Sequence, residues 1–158
     1  MNLRNIKGFT LTELLLVISI IALFMSSAAI LFTSSREKGR DARRVSDISQ
    51  MYITMELGAN TIPGATMVGC DGAYDLTTSC TGPAFVTDDL SRFFDITGVG
   101  ACNSTSVDVC DYSISKNDGS AGATVDDYQL CFYLEGGTTE YSAGLHAINN
   151  QGVITDCN

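Results

Sequence analysis

The stretch that decides the architecture is residues 7–32, KGFTLTELLLVISIIALFMSSAAILF. From residue 14 to residue 32 it has no charge, no Pro and no Gly. As a helix rising about 1.5 Å per residue, that run extends roughly 28 Å, close to the hydrocarbon thickness of a bilayer. It predicts a membrane-spanning helix. Glu13 stands out at the edge of the run, because a carboxylate at membrane depth is costly and calls for a partner or an interface. A secretory signal peptide is the competing reading: Ser26, Ser27, Ala28 and Ala29 imitate a cleavage site, which would place the mature amino terminus near Ala29.

The helical pattern continues past the apolar run through residues 36–57, REKGRDARRVSDISQMYITMEL. There Val45, Ile48, Tyr52 and Met55 recur at steps of three and four and form one apolar stripe, with charged residues on the other faces. The simplest reading is one helix over residues 9–57, roughly 70 Å long if unbroken. Gly39, which costs about 1 kcal/mol relative to Ala in a helix, is the expected place for a bend.

The remaining hundred or so residues read as a single acidic, water-soluble head. From Leu57 onward only Arg92 and Lys116 stand against thirteen Asp and Glu residues, in a chain of net charge −9. Such a surface repels a phosphate backbone, so nucleic acid is not an expected partner of the head. All six cysteines, Cys70, Cys80, Cys102, Cys110, Cys131 and Cys157, lie in this half. Their spacing lacks the close pairs of a metal site and favours disulfides, hence an oxidising compartment, with fifteen connectivities open.

The stretch Lys7-Gly8-Phe9-Thr10-Leu11-Thr12-Glu13 and the apolar run behind it resemble the class III signal of type IV pilins and of type II secretion pseudopilins. The resemblance implies a leader, residues 1–8, removed after Gly8 by a prepilin peptidase on the cytoplasmic side, and N-methylation of the new first residue, Phe9. It also implies a transmembrane and assembly segment over residues 9–35, an amphipathic half-helix over 36–57 and a disulfide-bonded head over 58–158. Glu13 matches the family's glutamate five places into the mature chain and would pair with the Phe9 amine of a neighbouring subunit, so that the pair fixes axial register while Leu, Ile and Phe side chains supply most of the packing. Without the motif, Glu13 reads as a marker of the membrane boundary or a partner of its own helix dipole. Many pilins carry a Pro in the transmembrane half, whereas here the first Pro after the motif is Pro63. Implied partners are identical or homologous pilin subunits, the peptidase, an inner-membrane assembly platform and, before assembly, the cytoplasmic membrane.

Charge counting conflicts with that orientation. The leader offers Arg4 and Lys7, and the other flank Arg36, Lys38, Arg40, Arg43 and Arg44. The cysteines and the cleavage motif nonetheless require the head outside, and the basic cluster then reads as a solvated helix face, a lipid-headgroup contact or a patch for acidic heads of adjacent subunits.

In the head, Thr87, Asp88 and Asp89 predict a capped short helix through Arg92 to Phe94. DYSIS (111–115), DYQLCFYLE (127–135), GLHAI (144–148) and GVITDC (152–157), the last two joined through Asn149, Asn150, Gln151 and Gly152, predict a small antiparallel sheet. Alternation puts Tyr128, Leu130, Phe132 and Leu134 on the face toward the helix and Cys131 on the other. The expected fold is therefore α+β, pilin-like, a long amino-terminal helix laid on a small antiparallel sheet. The expected bridges are Cys131 with Cys157, and Cys70 with Cys80 and Cys102 with Cys110 as local loops.

No catalytic constellation is legible, and His146 reads as structural. No cofactor is expected. Calcium is the one candidate ion, through Asp88 with Asp89, Asp108 with Asp111, or Asp126 with Asp127, although EF-hand spacing is lacking and a solvated acidic surface accounts for them. Asn103-Ser104-Thr105 fits the N-glycosylation pattern. The reading is of a non-enzymatic filament subunit, at first single-pass in the cytoplasmic membrane and then on the cell surface. The alternatives are a pseudopilin of a secretion or DNA-uptake apparatus, a monomeric membrane-anchored binding module, and a secreted domain released near Ala29.

Overall fold

The computed structural model describes residues 9–82, 85 and 90–158, with the side chains of residues 27–31 outside the description. The chain divides into two compact units, Met1–Arg36 and Glu37–Asn158. Helix α1, Leu11–Thr61, contributes to both. It runs through Gly39 without interruption and continues one turn past the expected end at Leu57. Gly58 is buried and its carbonyl accepts the Ile62 N–H at 2.8 Å. The helix stops where Pro63 follows, since the residue before a proline is driven out of the helical region.

In the second unit, α1 packs on a five-stranded antiparallel sheet in the order β1 (Asp75–Leu76), β2 (Ser113–Ser115), β3 (Gln129–Leu134), β4 (Gly144–Asn149), β5 (Ile154–Thr155). The fold is α+β. Leu130, Phe132 and Leu134 of β3 join Ile48, Met51 and Met55 of α1 in one core, and each such side chain contributes roughly 1.5–3 kcal/mol on leaving water. The helix stripe is rotated from the expected one: Met51 lies at its centre, and Val45 and Tyr52 only flank it.

The other face of β3 is also covered. Cys131 pairs in register with Ala147, which pairs with Thr155, and Cys131, Ala147, Cys157, Cys102 and Cys110 form a second core. The disulfides are Cys70–Cys80, Cys102–Cys110 and Cys131–Cys157. The β4–β5 turn is set by Asn149, whose Oδ1 accepts the Gln151 and Val153 N–H groups at 3.0 and 2.9 Å, and by Gly152 at φ 72° against the Tyr52 ring, a conformation that disfavours a side chain.

Strand β1 was not expected, since two residues carry no period. It is held by its ladder to β2 and by the Thr77 N–H donating to the Tyr112 carbonyl at 3.1 Å. The expected cap at Thr87, Asp88 and Asp89 lies outside the described residues; a 3-10 turn, Leu90–Arg92, follows it.

Candidate functional site

The residues singled out in the sequence for processing and assembly begin at Gly8, which lies outside the described residues. Phe9 is 82% exposed. Thr10 is the N-cap of α1, and the local sequence Thr-x-x-Glu forms a reciprocal capping box. The Thr10 N–H donates to Glu13 Oε2 at 2.9 Å, the Thr10 hydroxyl donates to the same oxygen at 2.8 Å, and the Glu13 N–H donates to Thr10 Oγ1 at 3.3 Å. Glu13 thus has local work to do: it satisfies donors that a helix start leaves open. The Thr-x-x-Glu spacing was present in the sequence and names this motif.

Beyond the cap, every described side chain from Leu11 to Ser26 is exposed, including Leu14, Leu15, Leu16, Ile18, Ile21, Leu23 and Phe24. Its hydroxyls turn inward on the backbone: Ser19 Oγ donates to the Leu15 and Leu16 carbonyls at 2.8 and 2.9 Å, and Ser26 Oγ to the Leu23 carbonyl at 2.8 Å. This part of the helix is apolar all round, with these hydroxyls bonded to its own backbone, and presents few polar groups to its surroundings. Among the described residues no helix is long and apolar enough to cross a membrane. The run expected to do so, residues 14–32, includes residues 27–31, whose side chains lie outside the described residues.

The basic cluster after this run divides: Arg36, Lys38 and Arg43 are exposed, as a solvated face requires, whereas Arg40 is half-buried and Arg44 is buried in the second unit. Asp41 and Arg44 continue the core stripe of Ile48, Met51 and Met55 and are buried. Arg44 Nη1 donates to Asp41 Oδ1 at 2.8 Å, and Nη2 to Thr97 Oγ1 at 2.7 Å and to Asp95 Oδ1 at 3.2 Å; Nε donates to Asp95 Oδ2 and Nη2 also meets Glu135 Oε1 at 2.7 Å. Asp41 in turn accepts the Glu135 and Gly136 N–H groups at 2.9 and 2.8 Å. Arg40 Nε donates to Glu135 Oε1 at 2.7 Å, and its Nη2 meets Oε2. Two guanidiniums and three carboxyl groups therefore clamp α1 to the end of β3 and to the segment around Asp95.

Burial acts against the charge of Arg44, but the hydrogen bonds to Asp95, Glu135 and Asp41 outweigh it and hold the guanidinium above its ordinary value. Burial likewise opposes ionisation of Asp95, while Arg44 and Thr97 overcome it and hold the carboxyl below the usual range. The Arg40 hydrogen bond lowers Glu135. Burial dominates at Asp111 and raises it, although its Oδ1 accepts the Asp95 and Tyr112 N–H groups at 2.7 and 2.8 Å. The signal for the clamp was available: Asp41 and Arg44, three apart, lie on the three-and-four spacing of the apolar stripe.

The remaining candidates are dispersed. Asp88 and Asp89 lie outside the described residues. Asp126 Oδ2 accepts the Gly64 N–H at 2.6 Å, and Asp127 Oδ1 the Asn117 N–H at 3.3 Å. Among the described residues no group of three or more His, Cys, Asp or Glu side chains could hold a metal ion. His146 Nε2 donates to the Ser142 carbonyl at 2.8 Å, beside Phe132 and Tyr141. Asn103 Oδ1 accepts the Thr105 N–H and hydroxyl at 3.0 and 2.7 Å and closes a turn in the Cys102–Cys110 loop.

The family model described as the prokaryotic N-terminal methylation motif matches residues 3–29. These residues are similar to the class III signal of type IV pilins and pseudopilins, and the match covers the amino-terminal segment alone. No curated protein and no solved structure matches the chain.

Proposed function

We propose that the chain is the structural subunit of a type IV pilus-like filament. It enters the cytoplasmic membrane as a single-pass precursor with its head outside, is cleaved after Gly8, methylated at Phe9 and polymerised through the apolar part of α1. The observation that carries the reading is the methylation motif over residues 3–29, set on a helix whose apolar side chains are exposed on all sides. Such a surface needs lipid or other copies to cover it. In the filament, Glu13 of one copy pairs with the Phe9 amine of the next, so copies out of register leave a charge without its counter-ion.

Mass spectrometry of the mature amino terminus tests this. The expected result is a chain beginning at N-methylated Phe9 in a sedimentable polymer. A mature start near Ala29, or retention of residues 1–8 in the working form, overturns it.

A further inference from the structure

On the face of β3 that carries Cys131, a buried carboxamide holds the segment that follows β5. Gln129 opens β3 and is 1% exposed. Its Nε2 donates to the Asn158 backbone oxygen at 2.7 Å, and its Oε1 accepts the Asn158 N–H at 3.3 Å. One side chain thus meets both backbone groups of one residue, as a neighbouring strand would. Nε2 also donates to Ser115 Oγ of β2 at 3.0 Å, which fixes the orientation of the amide. The Tyr74 hydroxyl donates to the same Asn158 oxygen. Apart from glycines, Tyr74 is the one residue of positive φ among the described residues, at 55°, a conformation that persists only where its surroundings hold it. On the other side, Gly119 at φ 81° approaches so closely that a Cβ there would lie 2.6 Å from the Asn158 oxygen.

Gln129 and Cys131, two apart on β3, share a face, and Asn158 follows Cys157 directly. The bonds to Asn158 therefore carry the Cys157 sulfur to Cys131. That placement matters because Cys102, Cys110, Cys131 and Cys157 all lie in one core. Four thiols pair in three ways, and two of them are wrong here. Loop length does not select the native partner of Cys131. In a flexible chain closure falls with the length of the loop, and Cys110 is nearer to Cys131 in sequence than Cys157 is. The Cys131–Cys157 bridge spans 26 residues against 8 for Cys102–Cys110, which makes its closure roughly six-fold less probable.

We propose that Gln129 is a positioning residue for oxidative folding: its carboxamide docks Asn158 before the bridge exists and directs Cys157 to Cys131 rather than to Cys102 or Cys110. Guidance of this bridge does not depend on the filament reading. The chemical step is thiol–disulfide exchange with a disulfide oxidant. One cysteine thiolate attacks the oxidant, forms a mixed disulfide and releases the first oxidant thiol. The other cysteine thiolate attacks the protein sulfur of that mixed disulfide and releases the second. Two cysteine thiols are oxidised, one oxidant disulfide is reduced to two thiols, and the two cysteine protons end on them. Gln129 exchanges nothing; it raises the effective concentration of one sulfur at the other.

The test refolds the reduced, detergent-solubilised full chain with oxidised glutathione and maps the bridges by mass spectrometry of peptides. Gln129→Leu is expected to lower the ratio of Cys131–Cys157 to bridges that join either of them with Cys102 or Cys110 by about five-fold or more, the effect of one net hydrogen bond. In a chain carrying Cys102→Ser and Cys110→Ser, the same substitution should leave the yield of Cys131–Cys157 unchanged, because the competing thiols of that core are gone. An equal loss of yield in both backgrounds shows a role confined to stability and overturns the guidance. A second measurement keeps Gln129 in place. With Cys131→Ser and Cys157→Ser, hydrogen exchange at the Asn158 amide should be about ten-fold or more slower than in an unstructured chain. Exchange at the unstructured rate, or a native bridge ratio unmoved by Gln129→Leu, overturns the proposal.

Discussion

Replacing Arg44 with Met tests whether the buried clamp holds the helix on the sheet. Met keeps the length and the apolar stem but removes the donors that serve Asp41, Asp95, Thr97 and Glu135. Arg44 is 2% exposed, so water does not replace them. Removing one partner of a buried ion pair costs about 3–5 kcal/mol, chiefly because the remaining charges stay buried. Two features place the cost at the low end of that range. Asp41 keeps the N–H groups of Glu135 and Gly136, and Asp95 keeps those of Thr97 and Gly98, at 2.8 and 3.1 Å. About 3 kcal/mol in a unit of this size lowers the midpoint of thermal unfolding by roughly 10–15 °C. The assay is thermal unfolding of the detergent-solubilised full chain, disulfides intact, followed by near-ultraviolet circular dichroism. Arg43→Met is the control, because that side chain is half exposed and its pair with Asp47 is worth about 1 kcal/mol or less. An Arg44→Met midpoint indistinguishable from that of Arg43→Met would refute the clamp as a stabilising device.

The same cluster sets an acid response. Asp95 and Glu135 have folded values below their unfolded ones, so their stabilisation is complete above the ordinary carboxylate range and is lost as pH falls through the lowered values. Asp111 acts with the opposite sign: its raised value contributes stability at low pH that is lost as pH rises through it. The unfolding midpoint should therefore fall on acidification, and Asp111→Asn, which keeps an acceptor for the Asp95 and Tyr112 N–H groups, should raise it near neutrality and steepen the fall; a flat profile from pH 7 to pH 3 contradicts this. Tyr128 is fully buried and its hydroxyl has no hydrogen-bond partner among the described residues. Tyr128→Phe should leave stability unchanged or raise it by about 1 kcal/mol, read as the guanidinium midpoint at constant slope, and a loss of that size would reveal a hidden partner.

What could be read in advance follows from the range of the interaction that fixes each element. The apolar run, the alternation of β3 and the Asn149 turn are local patterns, so the helix, the central strands and the hairpin were legible. So was the side of β3 that carries Cys131, whereas its partner Cys157 was one choice among fifteen open connectivities, and the structure has that bridge. Strand β1 is two residues long and exists because β2 lies beside it, and no local period announces that. Residue type alone reads five basic residues in nine as a solvated face, a lipid-headgroup contact or a patch for acidic heads, and gives no sign of the clamp. Position on the helix mattered more, since Asp41 and Arg44 fall on the core stripe and Arg43 falls beside it. The sequence puts the end of α1 at Leu57, where the loop-like Gly, Thr, Asn and Pro begin, but the buried Gly58 with its carbonyl hydrogen-bonded continues the helix to Thr61, just before Pro63.

Glu13 joins the two levels of the reading, because one side chain is asked to serve two partners. In the single chain its Oε2 is occupied by the N–H and hydroxyl of Thr10. In the proposed filament its charge answers the Phe9 amine of the next copy. The two roles have different chemical requirements. A capping box accepts Gln as well as Glu, because it needs an oxygen three residues into the helix and no charge. An ion pair with an amine among apolar side chains needs the charge itself. Glu13→Gln should therefore keep the helix start and lose ordered filaments, whereas Thr10→Val should loosen the helix start and leave the charge available to a neighbour. Filament yield scored against accumulated membrane-bound precursor and processed monomer separates these outcomes. Undiminished filaments from Glu13→Gln would reduce Glu13 to a capping residue and remove the register mechanism, while leaving the apolar helix as the means of assembly.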